Sequence, residues 1–123
     1  MLLSAAAAAM LILLGLAPLG NQARGVTPVC PRGYLCVFED ANYGGQVVKF
    51  HRLGLSNRLA DKMDDAASSV MNRRGGVSYL YEDPDGGGGS FCLEPHQSST
   101  YVGDQFNDVA SSTRLTKKNH CPV

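Results

Sequence analysis

The spacing of apolar and polar positions between residues 34 and 115 predicts short strands joined by tight turns. "YLCVF" (34–38) concentrates aromatic and β-preferring residues, and "QVVKF" (46–50) alternates as a half-buried strand does. Between them, "EDANYGG" (39–45) is turn chemistry, with Asp40, Asn42 and Gly44-Gly45 able to take the positive φ that hairpins require. The same order returns as "VSYLY" (77–81), "EDPDGGGG" (82–89) and "SFCL" (90–93), while "SSVMN" (68–72) and "SSTRL" (111–115) open a later strand in each half. No segment beyond the apolar N-terminus sustains a helical period, so the expected class is all-β.

The recurrence is in register. A shift of 43 positions carries Glu39-Asp40 onto Glu82-Asp83, Gly44-Gly45 onto Gly87-Gly88, Ser56 onto Ser99, Asp61 onto Asp104 and Ser68-Ser69 onto Ser111-Ser112, with no gap. Met63 falls on Phe106, and both are expected to anchor the core. This is a duplication, with units at about 34–72 and 77–115, and two copies are too few for a solenoid or propeller. Each unit alone would leave its apolar face wet, whereas two packed as sheets bury one core.

The N-terminus and the cysteines change the setting. Leu2 to Gly20 is almost wholly apolar and small residues follow it, so residues 1–23 are expected to be a signal peptide cleaved near Asn21-Gln22-Ala23, although no Lys or Arg precedes Arg24. Residues 24–123 then form one secreted domain, small enough to need covalent reinforcement. Cys30, Cys36, Cys92 and Cys121 behind an export signal predict two disulfides, for which three pairings exist. Pro31 and Gly33 can fold "CPRGYLC" back on itself, and the C-terminal tail can reach the strand holding Cys92, which favours Cys30–Cys36 with Cys92–Cys121. Chain entropy assigns about 2.4 kcal/mol to the short ring and about 3.6 kcal/mol to the long one. Zinc finds no support, since no Cys-x-x-Cys or paired-His spacing accompanies His120.

Charge removes other partners. Eleven basic and eleven acidic residues give zero formal net charge without a long run of either sign, which argues against nucleic acid. Past the leader, no amphipathic helix or second apolar span calls for a membrane. The domain is expected to be a monomer.

Phe38, Tyr43 and Gly45 form aromatic-x4-aromatic-x-Gly, and both "DDAASS" (64–69) and "NDVASS" (107–112) fit Asp/Asn-Asp/Asn-x-x-Ser-Ser. Together they resemble the double Greek-key domain of the microbial βγ-crystallins. The opening "CPRGYLCVFEDANYGG" also resembles the secreted Streptomyces-type metalloproteinase inhibitor family, which shares that fold and has a similar short disulfide ring. The resemblance spans residues 30–115 and implies a βγ-crystallin-like sandwich and an extracellular peptidase, specifically a metalloprotease, as partner. The inhibitors' reactive loop lies in a second short disulfide ring, which Cys92 and Cys121 are too far apart to make. The second hairpin departs as well, with Gly86 where an aromatic should follow Tyr81, so its turn is expected to pack less well.

The duplicated acid/serine motif has its own chemistry. Calcium takes six to eight oxygens from carboxylates, carbonyls and hydroxyls, and each motif offers such a set, from Asp64, Asp65, Ala66 and Ser68 at one site and Asn107, Asp108, Val109 and Ser111 at the other. The resemblance implies that each site also borrows a carbonyl from the Glu39 or Glu82 hairpin of the other unit. So few charges predict an affinity on the order of 10⁻⁴ to 10⁻⁵ M. The competing reading needs no metal, because Asp and Ser near strand ends bond their own backbone and a buried Ser can tie a hairpin to its sheet.

Enzyme chemistry finds no purchase. There is no Gly-x-Ser-x-Gly elbow and no His-Glu-x-x-His, the histidines at 51, 96 and 120 are scattered, and the Gly86–Gly89 run lacks the Lys-Ser/Thr of a phosphate loop. Two function classes remain, a secreted peptidase inhibitor and a calcium-binding extracellular module. For the first, the expected contact surfaces are the connections at Arg52–Arg58 and Glu94–Thr100.

Overall fold

The computed structural model describes residues 30–63 and 65–122; the expected leader and Asp64 lie outside the described residues. Among the described residues eight strands form two four-stranded antiparallel sheets. The strands are β1 (Leu35–Asp40), β2 (Gly44–Phe50), β3 (Gly54–Ser56), β4 (Ser69–Asn72), β5 (Ser78–Tyr81), β6 (Ser90–Leu93), β7 (Ser98–Ser99) and β8 (Ser112–Leu115). One sheet has the order β2-β1-β4-β7 and the other β3-β8-β5-β6. Each unit therefore lends its third strand to the sheet of the other: β3 pairs with β8, and β7 with β4. That exchange is the Greek-key crossing, and it locks the two units into one body.

The duplication is visible in the backbone. Asn42 and Asp85 sit at φ 58° and 59°, Gly45 and Gly88 at 73° and 71°, and Asp65 and Asp108 at 56° and 63°. At Gly45 and Gly88 a Cβ would stand 2.7 and 2.8 Å from a carboxylate oxygen of Asp40 and Asp83, so both close approach and positive φ demand glycine.

The symmetry fails at one element. The all-β expectation holds apart from α1 (Arg58–Met63), which buries Leu59 and Met63 at the i, i+4 spacing, whereas residues 104–109 form turns. The Arg52–Arg58 connection is also not irregular throughout, because β3 and the first residue of α1 fall within it, and 94–100 contains β7.

One apolar core lies between the sheets, with Leu35, Val37, Leu59, Val70, Leu80 and Leu93 fully buried; Met63 and Phe106 occupy the equivalent places expected of them. A smaller cluster around Cys30, Cys36 and Phe38 includes Tyr43 and Met71. Both favoured disulfides are formed, Cys30–Cys36 with Cα atoms 5.8 Å apart and Cys92–Cys121 with 6.0 Å. The second fastens the C-terminal tail to β6, where Cys121 N–H also donates to Glu94 Oε1 at 3.1 Å.

The missing aromatic of the second hairpin is replaced from a distance. In the first unit Phe38 and Tyr43 pack edge-on with ring centroids 5.4 Å apart. At Gly86, the space next to the backbone is filled by Leu55 Cδ1, Arg114 Nη2 and the Tyr81 ring. Arg114 also donates to the Tyr81 hydroxyl at 3.3 Å, so the turn is closed rather than loose.

Thr113 is fully buried and its Oγ1 has no hydrogen-bond partner; its counterpart in the first unit is Val70. An unsatisfied buried hydroxyl costs stability, so Thr113→Val is expected to raise unfolding free energy by about 1 kcal/mol. Urea titration of the two proteins checks this, and a loss of stability would show that the hydroxyl is satisfied in solution.

Candidate functional site

The two serines of each motif have different tasks. Ser69 and Ser112, both fully buried, tie the hairpins to the sheets. Ser69 Oγ donates to Asp40 O at 2.6 Å and accepts from Tyr43 N–H at 2.9 Å. Ser112 Oγ donates to Asp83 O at 2.6 Å and accepts from Gly86 N–H at 3.0 Å. These bonds hold the positive-φ residues 42–43 and 85–86, so the metal-free corner role belongs to the second serine.

The first serine faces the other unit. Ser68 Oγ donates to Asn107 Oδ1 at 2.5 Å and lies 3.5 Å from Asp108 Oδ1. Backbone bonds knit the same junction, from Asp108 N–H to Ala67 O at 2.9 Å and from Ser68 N–H to Phe38 O at 2.9 Å. The expected grouping by motif is thus redistributed, because the strand exchange brings Ser68 of one motif against Asn107 and Asp108 of the other. Asp65 is exposed at positive φ, and Ala66 N–H caps Met63 O at 3.1 Å. In the second motif Val109 N–H bonds Phe106 O at 3.2 Å, and the buried Ser111 donates its N–H to Tyr81 O at 2.9 Å. The carboxylates of Glu39 and Glu82 accept from Gln46 N–H at 3.2 Å and Gly89 N–H at 3.1 Å, bracing their own hairpins. Asp64 lies outside the described residues.

Sequence reasoning missed two neighbours of this junction. Tyr101 donates its hydroxyl to Asp104 Oδ1 at 2.6 Å. That bond pushes the phenol above its ordinary pKa, with smaller contributions from desolvation and from the charges of Asp104 and Asp108. Among the described residues no group of three or more His, Cys, Asp or Glu side chains is placed to hold a metal.

The second candidate surface lies around residues 51–55. β2 ends in one sheet at Phe50 and β3 begins in the other at Gly54, so His51-Arg52-Leu53 bridges the sheets. Among the described residues the exposed large hydrophobics are Leu53 (53%), Leu55 (39%) and Tyr101 (42%). Leu53 and Leu55 border a surface cavity of about 590 Å³. The flanks are fixed: Tyr34 and His51 rings lie 4.9 Å apart, Asn57 Nδ2 donates to Asp85 Oδ1 at 2.7 Å, and Asp85 N–H returns a bond to Asn57 Oδ1 at 2.8 Å. The 94–100 segment is tied down by its own turn, with Glu94 N–H donating to Gln97 Oε1 at 2.7 Å and Asn72 N–H to Gln97 O at 2.9 Å.

A family model described as peptidase inhibitor family I36 matches residues 23–93. Among solved structures, the chain is similar to a βγ-crystallin domain from Flavobacterium johnsoniae, at 26% identity over 71% of this chain and 98% of that one, with a TM-score of 0.61. It is similar also to a domain described under the evolution of the eye-lens βγ-crystallin fold, at 21% identity over 74% and 93% of the two chains, with a TM-score of 0.64. A βγ-crystallin domain from Clostridium beijerinckii matches at 20% identity over 69% and 99%, with a TM-score of 0.60. No curated protein matches the chain.

Proposed function

The chain belongs to peptidase inhibitor family I36 on a βγ-crystallin fold, and from that premise we propose that it is a secreted inhibitor of an extracellular metallopeptidase that presents residues 51–55 to the enzyme's cleft. It is not an enzyme. Its two disulfides fit an extracellular setting, and the apolar leader supports export. The likeness of "CPRGYLCVFEDANYGG" to the Streptomyces-type inhibitors supports a metallopeptidase as target.

The observation that carries the contact surface is the exposed Leu53 on a segment held at both ends. β2 is paired to β1 on one side and β3 to β8 on the other, in different sheets. A segment immobilised before it binds loses little conformational entropy on docking, and an exposed leucine at its tip can fill an apolar subsite. The paired flanks also oppose the opening that would let the enzyme cut and release the segment.

The test is inhibition of a peptidase panel that includes a thermolysin-like metallopeptidase. The wild-type protein is expected to inhibit at least one member, and Leu53→Asp to weaken that inhibition by roughly 30-fold or more, as loss of an interface anchor does. Alanine replacement across 94–100 is expected to leave it within about threefold. Inhibition of no member at micromolar excess overturns the reading, and the reverse ranking of the two variants moves the contact surface to 94–100.

A calcium ion at the motif junction is a compatible second element of the proposal. Ser68 Oγ, Asn107 Oδ1 and Asp108 Oδ1 converge as hard oxygen donors, the donor chemistry calcium takes, and main-chain carbonyls of the loop can complete it. When bound, the ion would supply a cross-link between the two units. Without it, the Ser68 hydroxyl performs a weaker version of the same task.

A further inference from the structure

The chain is neutral overall, yet four of its eleven Lys and Arg residues gather on one face. The cavity beside Leu53 is lined in part by Lys49, His51, Arg52 and Arg58, and an adjoining groove of about 370 Å³ runs between β2 and α1, sharing Lys49 and Arg58 and adding Lys62. Among the described residues no Asp or Glu lines either one. All five of these side chains belong to exposed residues. Arg58 is held rigidly, its guanidinium 4.9 Å above the Phe50 ring centroid and its Nη2 donating to Lys49 O at 2.8 Å. Gln46 Nε2 likewise donates to Lys62 O at 3.1 Å, fastening α1 alongside β2. β2 is also an edge strand of its sheet, so this groove follows an extended backbone with no strand beyond it.

Such a groove, basic, elongated and walled by fixed elements, complements a negatively charged extended segment. We propose that the β2–α1 groove is a docking surface for an acidic peptide segment and that, in the inhibitory complex, it receives an acidic stretch bordering the peptidase's cleft while Leu53 enters the cleft itself. The identification of the partner rests on the inhibitor reading; the groove's chemistry does not. Complementary charge of this kind accelerates encounter and selects among peptidases more than it deepens the final affinity, so the acidic rim would decide which enzymes are captured quickly. α1 has no counterpart in the second unit, where 104–109 are turns, so the groove is built on one side of the sandwich only.

The test uses the folded domain and two labelled peptides, one alternating Glu-Glu-Leu and one alternating Gln-Gln-Leu, with fluorescence anisotropy as readout. The Glu peptide is expected to bind at low salt, the Gln peptide to bind at least tenfold more weakly, and 0.5 M sodium chloride to remove the difference. The Lys49→Glu, Lys62→Glu double variant, changed at exposed positions only, is expected to keep its melting temperature and lose at least tenfold in Glu-peptide affinity. In the inhibition assay it is expected to slow association at least tenfold while dissociation stays within about threefold. Absent Glu-peptide binding, or binding indifferent to the double reversal, overturns the groove. Inorganic polyphosphate binding tenfold tighter than the peptide overturns it too, in favour of a polyanion surface. Inhibition that survives without Glu-peptide binding leaves the inhibitor reading intact, whereas peptide binding with no peptidase inhibited supports the groove and overturns that reading.

Discussion

Replacing Asn72 by leucine, the residue at the equivalent position 115 of the second unit, is expected to lower unfolding free energy by about 3–4 kcal/mol. Asn72 is fully buried and uses its whole amide. Its Nδ2 donates to Gly76 O and Glu94 O, both at 3.0 Å, while its Oδ1 accepts from Arg74 N–H at 3.2 Å and from Ser78 Oγ at 3.3 Å. These partners belong to the linker between the units and to the segments of the second unit that meet it, so one side chain bonds the junction together. Arg74 depends on the same order. Its guanidinium is buried, which pushes its pKa below the ordinary value, and it is held by Ser78 Oγ at 2.9 Å, Thr116 O at 2.8 Å, Val77 O at 3.3 Å and Gly76 O at 3.4 Å. A leucine at 72 strips bonds from buried groups that water cannot reach, at roughly 1–3 kcal/mol for each group left unsatisfied. For a domain near 100 residues the melting temperature should fall by about 15–25 °C. Thermal and urea unfolding measure it directly, and a loss under about 1 kcal/mol would show that the junction is held by the disulfides and apolar core instead.

Calcium is expected to raise stability by about 2.7 kcal/mol at 10 mM if the junction binds it with an affinity near 10⁻⁴ M, because a ligand confined to the folded state contributes RT ln(1 + [L]/Kd). The corresponding rise in melting temperature is roughly 10 °C or more. The division of labour between the paired serines makes the test selective. Ser68→Ala and Asp108→Asn remove oxygens from the cross-unit cluster and should shrink the calcium-dependent part of the melting temperature. Ser69→Ala and Ser112→Ala break corner ties to Asp40 O and Asp83 O, and should lower the melting temperature by the same amount in calcium and in chelator. Calorimetric titration that gives neither heat nor a melting shift would leave Ser68, Asn107 and Asp108 as a hydrogen-bonded seam between the units.

What the sequence determined by itself is whatever depends on local pattern and on spacing. The hairpins at 35–50 and 78–93, the positive φ of Asn42 and Gly45, the duplication and the two disulfides were legible because alternation, Gly and Asn placement and cysteine position act over a few residues or repeat in register, whereas Asp40 and Gly44 stay at φ −109° and −98° and Tyr43 takes the left-handed conformation that composition did not mark. Tertiary structure decided the rest. The exchange of β3 and β7 between sheets is a long-range pairing with no local signature, and it redistributed the candidate ligands so that Ser68 meets Asn107 and Asp108. It also carried Leu55 to the place left open by Gly86, a substitution invisible to any alignment of one unit on the other. The helix at 58–63 escaped prediction because six residues are too few to establish a period, and burial of Leu59 and Met63 against the core stabilises what propensity alone would not. The basic face was hidden for a related reason: Lys49, Arg52, Arg58 and Lys62 are separated by apolar and polar residues and cancelled in the chain's net charge, and the packing of α1 beside β2 sets them along one groove.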